Sequence, residues 1–300
     1  MTSIVPCIWL DDQAEAAGAF YAKLFPAGRV ISTSHYPETA DNPGGTPRGS
    51  VLTVEVELAG QRFTLLNGGP QFKPNPTISF FVNVGTTAET DRMFKALSDG
   101  GKVMMALDKY PWSERYGWAA DRYGVSWQVT TRPGIERTTI VPCLMFTGPQ
   151  HGKAEEAIRL YTSIFPDARV GELSRYGKGQ GGPEGTIVHG PFVLAGQDFV
   201  AMDSHVKHAF NFDEGVSLQV MCADQAEIDR FWDKLAAGGS HSVCGWLKDR
   251  FGLSWQVSPV QMAQWMTSKD KAARDRVFAA MIEMKKIDVA ELERAFRGKA

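Results

Sequence analysis

Two stretches 128 positions apart, DRYGVSWQV from Asp121 and DRFGLSWQV from Asp249, show that this chain writes one structural unit twice. Other matches keep the same order: IVPC at Ile4 and Ile140, FYAKLFPAGRV from Phe20 against LYTSIFPDARV from Leu160, LAGQRF from Leu58 against LAGQDF from Leu194, and ETDRMFKALSDGG from Glu89 against EIDRFWDKLAAGG from Glu227. The offsets of 136, 140, 136, 138 and 128 imply short insertions and deletions that belong in loops. A period of this length exceeds any solenoid unit, so the repeat is a duplicated domain. The expected boundaries are 1–133 and 137–258, followed by a segment 259–300; a chain of 300 residues agrees with more than one hydrophobic core.

Each half can be read once and checked on its copy. Ser50 to Leu58 alternates, with Leu52, Val54, Val56 and Leu58 on one face and Thr53, Glu55 and Glu57 on the other, the period of a half-buried strand. Gly60-Gln61 reads as the tip of a hairpin into Arg62 to Leu66. Met93, Phe94 and Leu97 form an apolar helix stripe ended by Gly100-Gly101, and Asp12 is a candidate cap for the helix carrying Ala16, Phe20 and Leu24. The resulting order is strand, helix, three strands, twice per half. Four βαβββ modules follow, in an α+β fold of curved mixed sheets whose inner faces can converge on a small ligand. The segment from Pro259 adds a helical tail: Val277, Met281 and Met284 recur at helical spacing, and Asp288 with Glu291 makes a capping box.

Function classes narrow on simple grounds. With 32 basic and 34 acidic residues the chain has no basic footprint for nucleic acid. No run approaches a membrane span, and Met1 to Cys7 lacks a signal-peptide pattern, so a cytoplasmic protein with a small-molecule partner is expected. Cys7, Cys143, Cys222 and Cys244 form no Cys-x-x-Cys pair and read as reduced, mostly buried thiols. GKGQGGPEG from Gly177 and NPGGTPRG from Asn42 have the composition of phosphate loops, yet neither opens a helix, so both read as hairpin loops.

The four modules and the endings GGKVMMALDKYPWSERYGWAADRYGVSWQV and CGWLKDRFGLSWQV resemble the vicinal oxygen chelate (glyoxalase-fold) superfamily, and more narrowly its PhnB-like branch, often described as 3-demethylubiquinone-9 3-methyltransferase-like. The resemblance spans about residues 4 to 258, and the tail is similar to the branch's closing segment. It implies tandem glyoxalase-fold domains. In catalytic relatives it implies a divalent metal held on the inner face by a first-strand His, a last-strand Glu and matching residues of a second module, acting as a Lewis acid. Here the first-strand positions fall at Pro6-Cys7 and Pro142-Cys143, the last-strand positions at Gln128 and Gln256, and the fifth-strand positions near Thr77 and Gly215. Neutral amides do not make a metal site, so no cofactor is expected, with a divalent metal as the alternative.

Of the remaining polar residues, His189 in IVHGPF and Asp203 in FVAMDSH match a strand His and a strand-ending Asp of relatives, and a facing pair would be the acid-base catalyst; their counterparts are Thr53 and Asn67. The bland reading is a hydrogen-bonded strand His and a turn Asp. His205 and His208 could bind a metal opportunistically. Ligand-binding candidates are Cys7, Thr53, Asn67, Trp112, Tyr116, Trp118, Gln128, Cys143, Trp246 and Gln256, the aromatics because stacking can hold a flat or lipophilic molecule. Whether the protein is an enzyme is open. The expectation is a PhnB-like small-molecule-binding protein or enzyme lacking the usual metal ligands; the alternatives are a metal-free sequestering protein of drug-resistance type and the methyltransferase of the branch description. The latter lacks the Gly-rich turn of a doubly wound nucleotide fold. A monomer with pseudo-dimeric halves or a homodimer would suit the duplication.

Overall fold

The computed structural model describes residues 2–39 and 45–298; Asn42 to Gly44 of the expected hairpin loop lie outside them. Four modules follow in order. The first is β1 (Ser3–Leu10), α1 (Ala14–Leu24), β2 (Arg29–His35), β3 (Val51–Leu58) and β4 (Gln61–Asn67), and the second is β5 (Ile78–Val84), α2 (Thr87–Ser98), β6 (Lys102–Tyr110), β7 (Ser113–Ala120) and β8 (Ser126–Thr131). The third comprises β9 (Thr139–Phe146), α3 (Ala154–Ile164), β10 (Arg169–Val170), β11 (Ser174–Arg175), β12 (Ile187–Leu194) and β13 (Gln197–Asp203), and the fourth β14 (Val216–Cys222), α4 (Gln225–Leu235), β15 (Ser240–His241), β16 (Trp246–Lys248) and β17 (Ser254–Pro259). The tail holds α5 (Met262–Met266), α6 (Lys271–Glu283) and α7 (Val289–Arg297), with Asp288 capping α7 at the Glu291 N–H. No helix among the described residues is long and apolar enough to cross a membrane.

The repeat seen in the sequence is not the unit of the sheets. An eight-stranded sheet runs β15-β16-β17-β14-β1-β4-β3-β2, and a nine-stranded sheet runs β10-β12-β13-β9-β5-β8-β7-β6 with β11 paired to β12. Each sheet therefore joins one module from each half. The joints are antiparallel, β1 against β14 with Cys7 opposite Ser217, and β5 against β9 with Ser79 opposite Cys143. A concavity formed within one half, as the duplication suggests, is replaced by two concavities that each need both halves.

Strand alternation assigns the faces. Val54, Val56 and Leu58 of β3 are buried beneath α1, so Thr53 and Glu55 turn to the concave side. In β17 the fully buried Trp255 faces the helices, which sends Gln256 to the concave side; Trp127 and Gln128 divide in the same way on β8.

The duplicated DR(Y/F)G-x-SWQ stretch has a structural explanation. One oxygen of Asp121 accepts the backbone N–H groups of Tyr123 (2.8 Å) and Val125 (3.0 Å), and the other accepts the Tyr21 hydroxyl (2.6 Å) and Trp127 Nε1–H (2.8 Å). Asp249 repeats this with Phe251 (2.8 Å), Leu253 (3.1 Å), Tyr161 (2.6 Å) and Trp255 (2.9 Å). The buried carboxylate ties a helix, a turn and a strand of neighbouring modules at one point, and the Gly supplies the positive φ the turn needs (84° at both Gly124 and Gly252).

Helix starts are also tied over long distances. Asp12 does not cap α1: its φ is +55°, and the Asn67 side chain at the end of β4 accepts the Ala14 N–H instead (2.9 Å). In α3 that role belongs to Asp203, which accepts the N–H groups of Gly152 (2.8 Å), Ala154 (3.2 Å) and Ile187 (2.9 Å). The carboxylate suits this place because one oxygen meets two donors at a helix N-terminus and the other meets the first N–H of β12.

Candidate functional site

The concavity of the eight-stranded sheet encloses a cavity of about 680 Å³. Its floor is a chain of neutral hydrogen bonds: Thr64 Oγ1–H to Gln219 Oε1 (2.7 Å), Gln219 Nε2–H to Gln256 Oε1 (3.1 Å), and Gln256 Nε2–H to Ser217 Oγ (2.8 Å). Cys7 lies buried beneath it; burial pushes its thiol up to about 11, against the opposing pull of hydrogen bonds with Gln256 and Ser217. One wall is aromatic, with Trp9 edge-on to Phe72 (5.0 Å) and to Trp246 (6.0 Å). Trp9 Nε1–H donates to the Gly69 carbonyl (2.8 Å), and a Cβ at Gly68 would fall 2.2 Å from its ring, so the indole's seat requires glycine there. The tail forms the roof through Met262, Met266, Phe278 and Met281.

That roof is fastened at both ends to the fourth module. The Val260 N–H donates to the Cys222 carbonyl, Cys244 and Gly245 donate to Met284 and Lys285 (2.7 and 2.8 Å), and Gln225 Nε2–H donates to Ile287 (3.0 Å). Between these anchors the tail crosses to the first module, where Lys271 pairs with Glu38 (2.6 Å), Thr39 donates to Asp275 (2.6 Å) and Phe278 meets Tyr36 edge-on (5.9 Å).

The nine-stranded sheet repeats the floor but lays a tyrosine over it. Gln128 Nε2–H donates to Ser79 Oγ (2.8 Å), and burial raises the Cys143 thiol to about 12, but the Tyr116 hydroxyl donates to Gln128 Oε1 (2.6 Å) and occupies the inner face. Trp118 donates to Ser126 Oγ (2.8 Å), and Trp112 stacks on Tyr110 (5.0 Å) with 64% of its surface exposed.

The sequence candidates therefore divide. Thr53, Trp246 and Gln256 line the large cavity and Cys7 underlies its floor, whereas Trp112, Tyr116, Trp118, Gln128 and Cys143 belong to the other sheet. Asn67 and Asp203 are helix caps rather than ligand or proton-transfer residues. His189 does not meet Asp203: alternation places it on the concave face and Asp203 on the helix face. It borders a smaller cavity of about 360 Å³ with Arg132 and Asn83, where burial first and the Arg132 charge second lower its pKa. His208 bonds Ser204 (2.9 Å) while His205 packs against Tyr176, so the two do not converge. Trp9, Thr64, Ser217, Gln219 and the tail side chains were not signalled by sequence; the fifth-strand positions fall at Ser79 and Ser217, two residues beyond Thr77 and Gly215.

The donors do not fit the metal the fold implies. Cys7, Thr64, Ser217 and Gln256 occupy the converging strand positions, and they comprise a thiol held protonated, two hydroxyls and an amide. No group of three or more His, Cys, Asp or Glu among the described residues is placed to hold a metal ion. Protein dialysed against Zn²⁺ or Ni²⁺ is expected to retain substoichiometric metal by elemental analysis, unchanged by Gln256→Ala; one equivalent lost in that variant would refute the assignment.

Paired βαβββ modules around a concave sheet define the glyoxalase, or vicinal oxygen chelate, fold. The family model described as 3-demethylubiquinone-9 3-methyltransferase matches residues 2–130 and again 138–258, and the chain belongs to that family. A PhnB protein from Bacillus cereus is 33% identical over 43% of this chain and 98% of its own, with a TM-score of 0.39. Glyoxalase I from Zea mays is 10% identical over 85% of this chain and 92% of its own, with a TM-score of 0.50, a likeness of fold alone. None of the curated proteins matches.

Proposed function

We propose that the protein binds a flat, largely apolar small molecule in the cavity of the eight-stranded sheet, without a metal. The observation that carries this reading is the pairing of a neutral amide and hydroxyl floor with an aromatic wall and a Met-rich roof. The volume of about 680 Å³ suits a ligand of drug or cofactor size. The indoles of Trp9 and Trp246 supply apolar area at little conformational cost, and methionines adapt to the ligand's outline. Thr64 and the two glutamines offer donors and acceptors to a carbonyl or hydroxyl, and Ser217 beneath them holds Gln256 in place. A quinone or phenol ring of the kind in the family description meets these requirements, while the described residues form two mixed sheets and no doubly wound parallel sheet of the nucleotide-binding type.

The test is a fluorescence titration with Nile red, a flat neutral dye. Micromolar binding is expected, weakened about thirtyfold by Trp246→Ala, which removes a ring from the wall. Trp112→Ala, on the other sheet, is expected to leave affinity within twofold. Equal affinity in wild type and Trp246→Ala would place the dye elsewhere and refute the reading.

A further inference from the structure

The charges on the cavity wall say more about the ligand than its shape does. Four ionisable side chains of Asp, Glu, Lys or His type line it: Glu55, Glu214, Lys248 and His241. Glu214 is neutralised by Lys248 at 3.0 Å. His241 lies at the exposed edge, stacked on Trp232 at 4.9 Å. Burial raises the Cys244 thiol to about 11 and raises the Tyr36 phenol, so both stay neutral at pH 7.

Glu55 is different. It stands on β3, opposite Ser32 on one side and Thr64 on the other, half-buried on the concave face. It has no hydrogen-bond or ion-pair partner among the described residues, while Glu57, next on the same face, pairs with Arg29 at 3.1 Å and does not line the cavity. Glu55 therefore presents to the cavity a negative charge that no described side chain neutralises, and a cation on the ligand is the group that would meet it. The surrounding rings add to the same preference, since the faces of Trp9, Trp246 and Tyr36 attract cations.

We infer that the ligand is an aromatic or lipophilic cation, a protonated amine or a quaternary or heteroaromatic nitrogen, with Glu55 as its counter-charge. This rests on the binding role of the cavity, and it names the chemical class that the shape leaves open. The amide floor takes the polar substituents and the aromatic wall the ring system, leaving the positive nitrogen near β3.

The experiment compares thioflavin T, a flat permanent cation, with neutral Nile red by fluorescence titration of wild type, Glu55→Gln and Glu57→Gln. Thioflavin T affinity is expected to fall about tenfold in Glu55→Gln, as loss of one partly shielded charge pair implies, and to weaken with added salt. Nile red affinity in that variant should stay within twofold, and Glu57→Gln should behave as wild type with both dyes. Equal thioflavin T affinity in wild type and Glu55→Gln, with Nile red still bound, overturns the cation assignment alone. Equal losses in Glu55→Gln and Glu57→Gln also overturn it, because they would reflect overall charge. Failure of both dyes to bind overturns the binding role itself and this inference with it.

Discussion

Asp249→Ala is expected to lower the stability of the protein by about 4 kcal/mol or more, read as a shift of the urea midpoint followed by tryptophan fluorescence. The carboxylate is 3% exposed and accepts four donors, from Phe251, Leu253, Tyr161 and Trp255, which the variant would leave without an acceptor and with little access to water. Each buried donor left unpaired costs about 1–3 kcal/mol, and relaxation can rescue only some of them. That is a large share of the stability of an ordinary domain. Asp249→Asn should recover part of the loss, because its amide nitrogen must face one of the two donor pairs. Asp198→Ala, at an exposed position, should stay within about 0.5 kcal/mol. Equal midpoints for Asp249→Ala and Asp198→Ala would show that the clamp contributes little.

The same clamp shows what could be read from residues alone. The repeated Asp, Gly, Trp and Gln are visible because the duplicated turn uses them identically, and strand alternation correctly separates Trp255 from Gln256 and Val54 from Glu55. Local periodicity carries that information, so the module order was legible. Module pairing was not, because the joints β1 to β14 and β5 to β9 join strands distant in the chain, and no local pattern specifies them. Asn67 and Asp203 show the same limit. Each stands where a strand ends, which reads as a pocket rim, yet the donor set that fixes its role comes from a helix start some fifty residues earlier in the chain.

The candidate site was half legible for a related reason. Gln256 and Trp246 follow from the repeat, but Trp9 and Gln219 come to line one cavity, with Ser217 buried under its floor, only once β1 and β14 lie side by side. A usable signal existed in VSLQV of β14, whose alternation puts Ser217 and Gln219 together on one face. Treating the halves as equivalent also misled. Both carry the Gln, Ser and Cys floor, but Tyr116 covers the glutamine of one sheet, and in the other sheet the shorter β15 and β16 leave room for the tail.

The tail's occupancy of that room gives the second large expected effect. A chain ending at Val260 would lose Met262, Met266, Phe278 and Met281 from the cavity roof, turning a partly covered site into an open groove. Nile red binding is expected to weaken at least a hundredfold, since most of the apolar contact on one side of the dye is removed. Stability should fall too, because Trp265, Val277, Phe278, Ile287 and Leu292 are buried and their removal bares the surfaces they cover. Phe278→Ala separates the two effects. It keeps every backbone anchor from Met284 to Val289, so the tail stays docked while the roof loses the ring that meets Tyr36. A cost of about 3 kcal/mol in the urea midpoint and a tenfold weaker Nile red affinity are expected. If the shortened chain stayed folded by near-ultraviolet circular dichroism and bound the dye as well as the full chain, the tail would be a packing element of the fourth module and no part of the site. The fastening pattern argues otherwise: strong anchors lie at both ends on one module, and the crossing to the other is held by exposed polar contacts and one ring pair, so the roof spans the joint between the two halves.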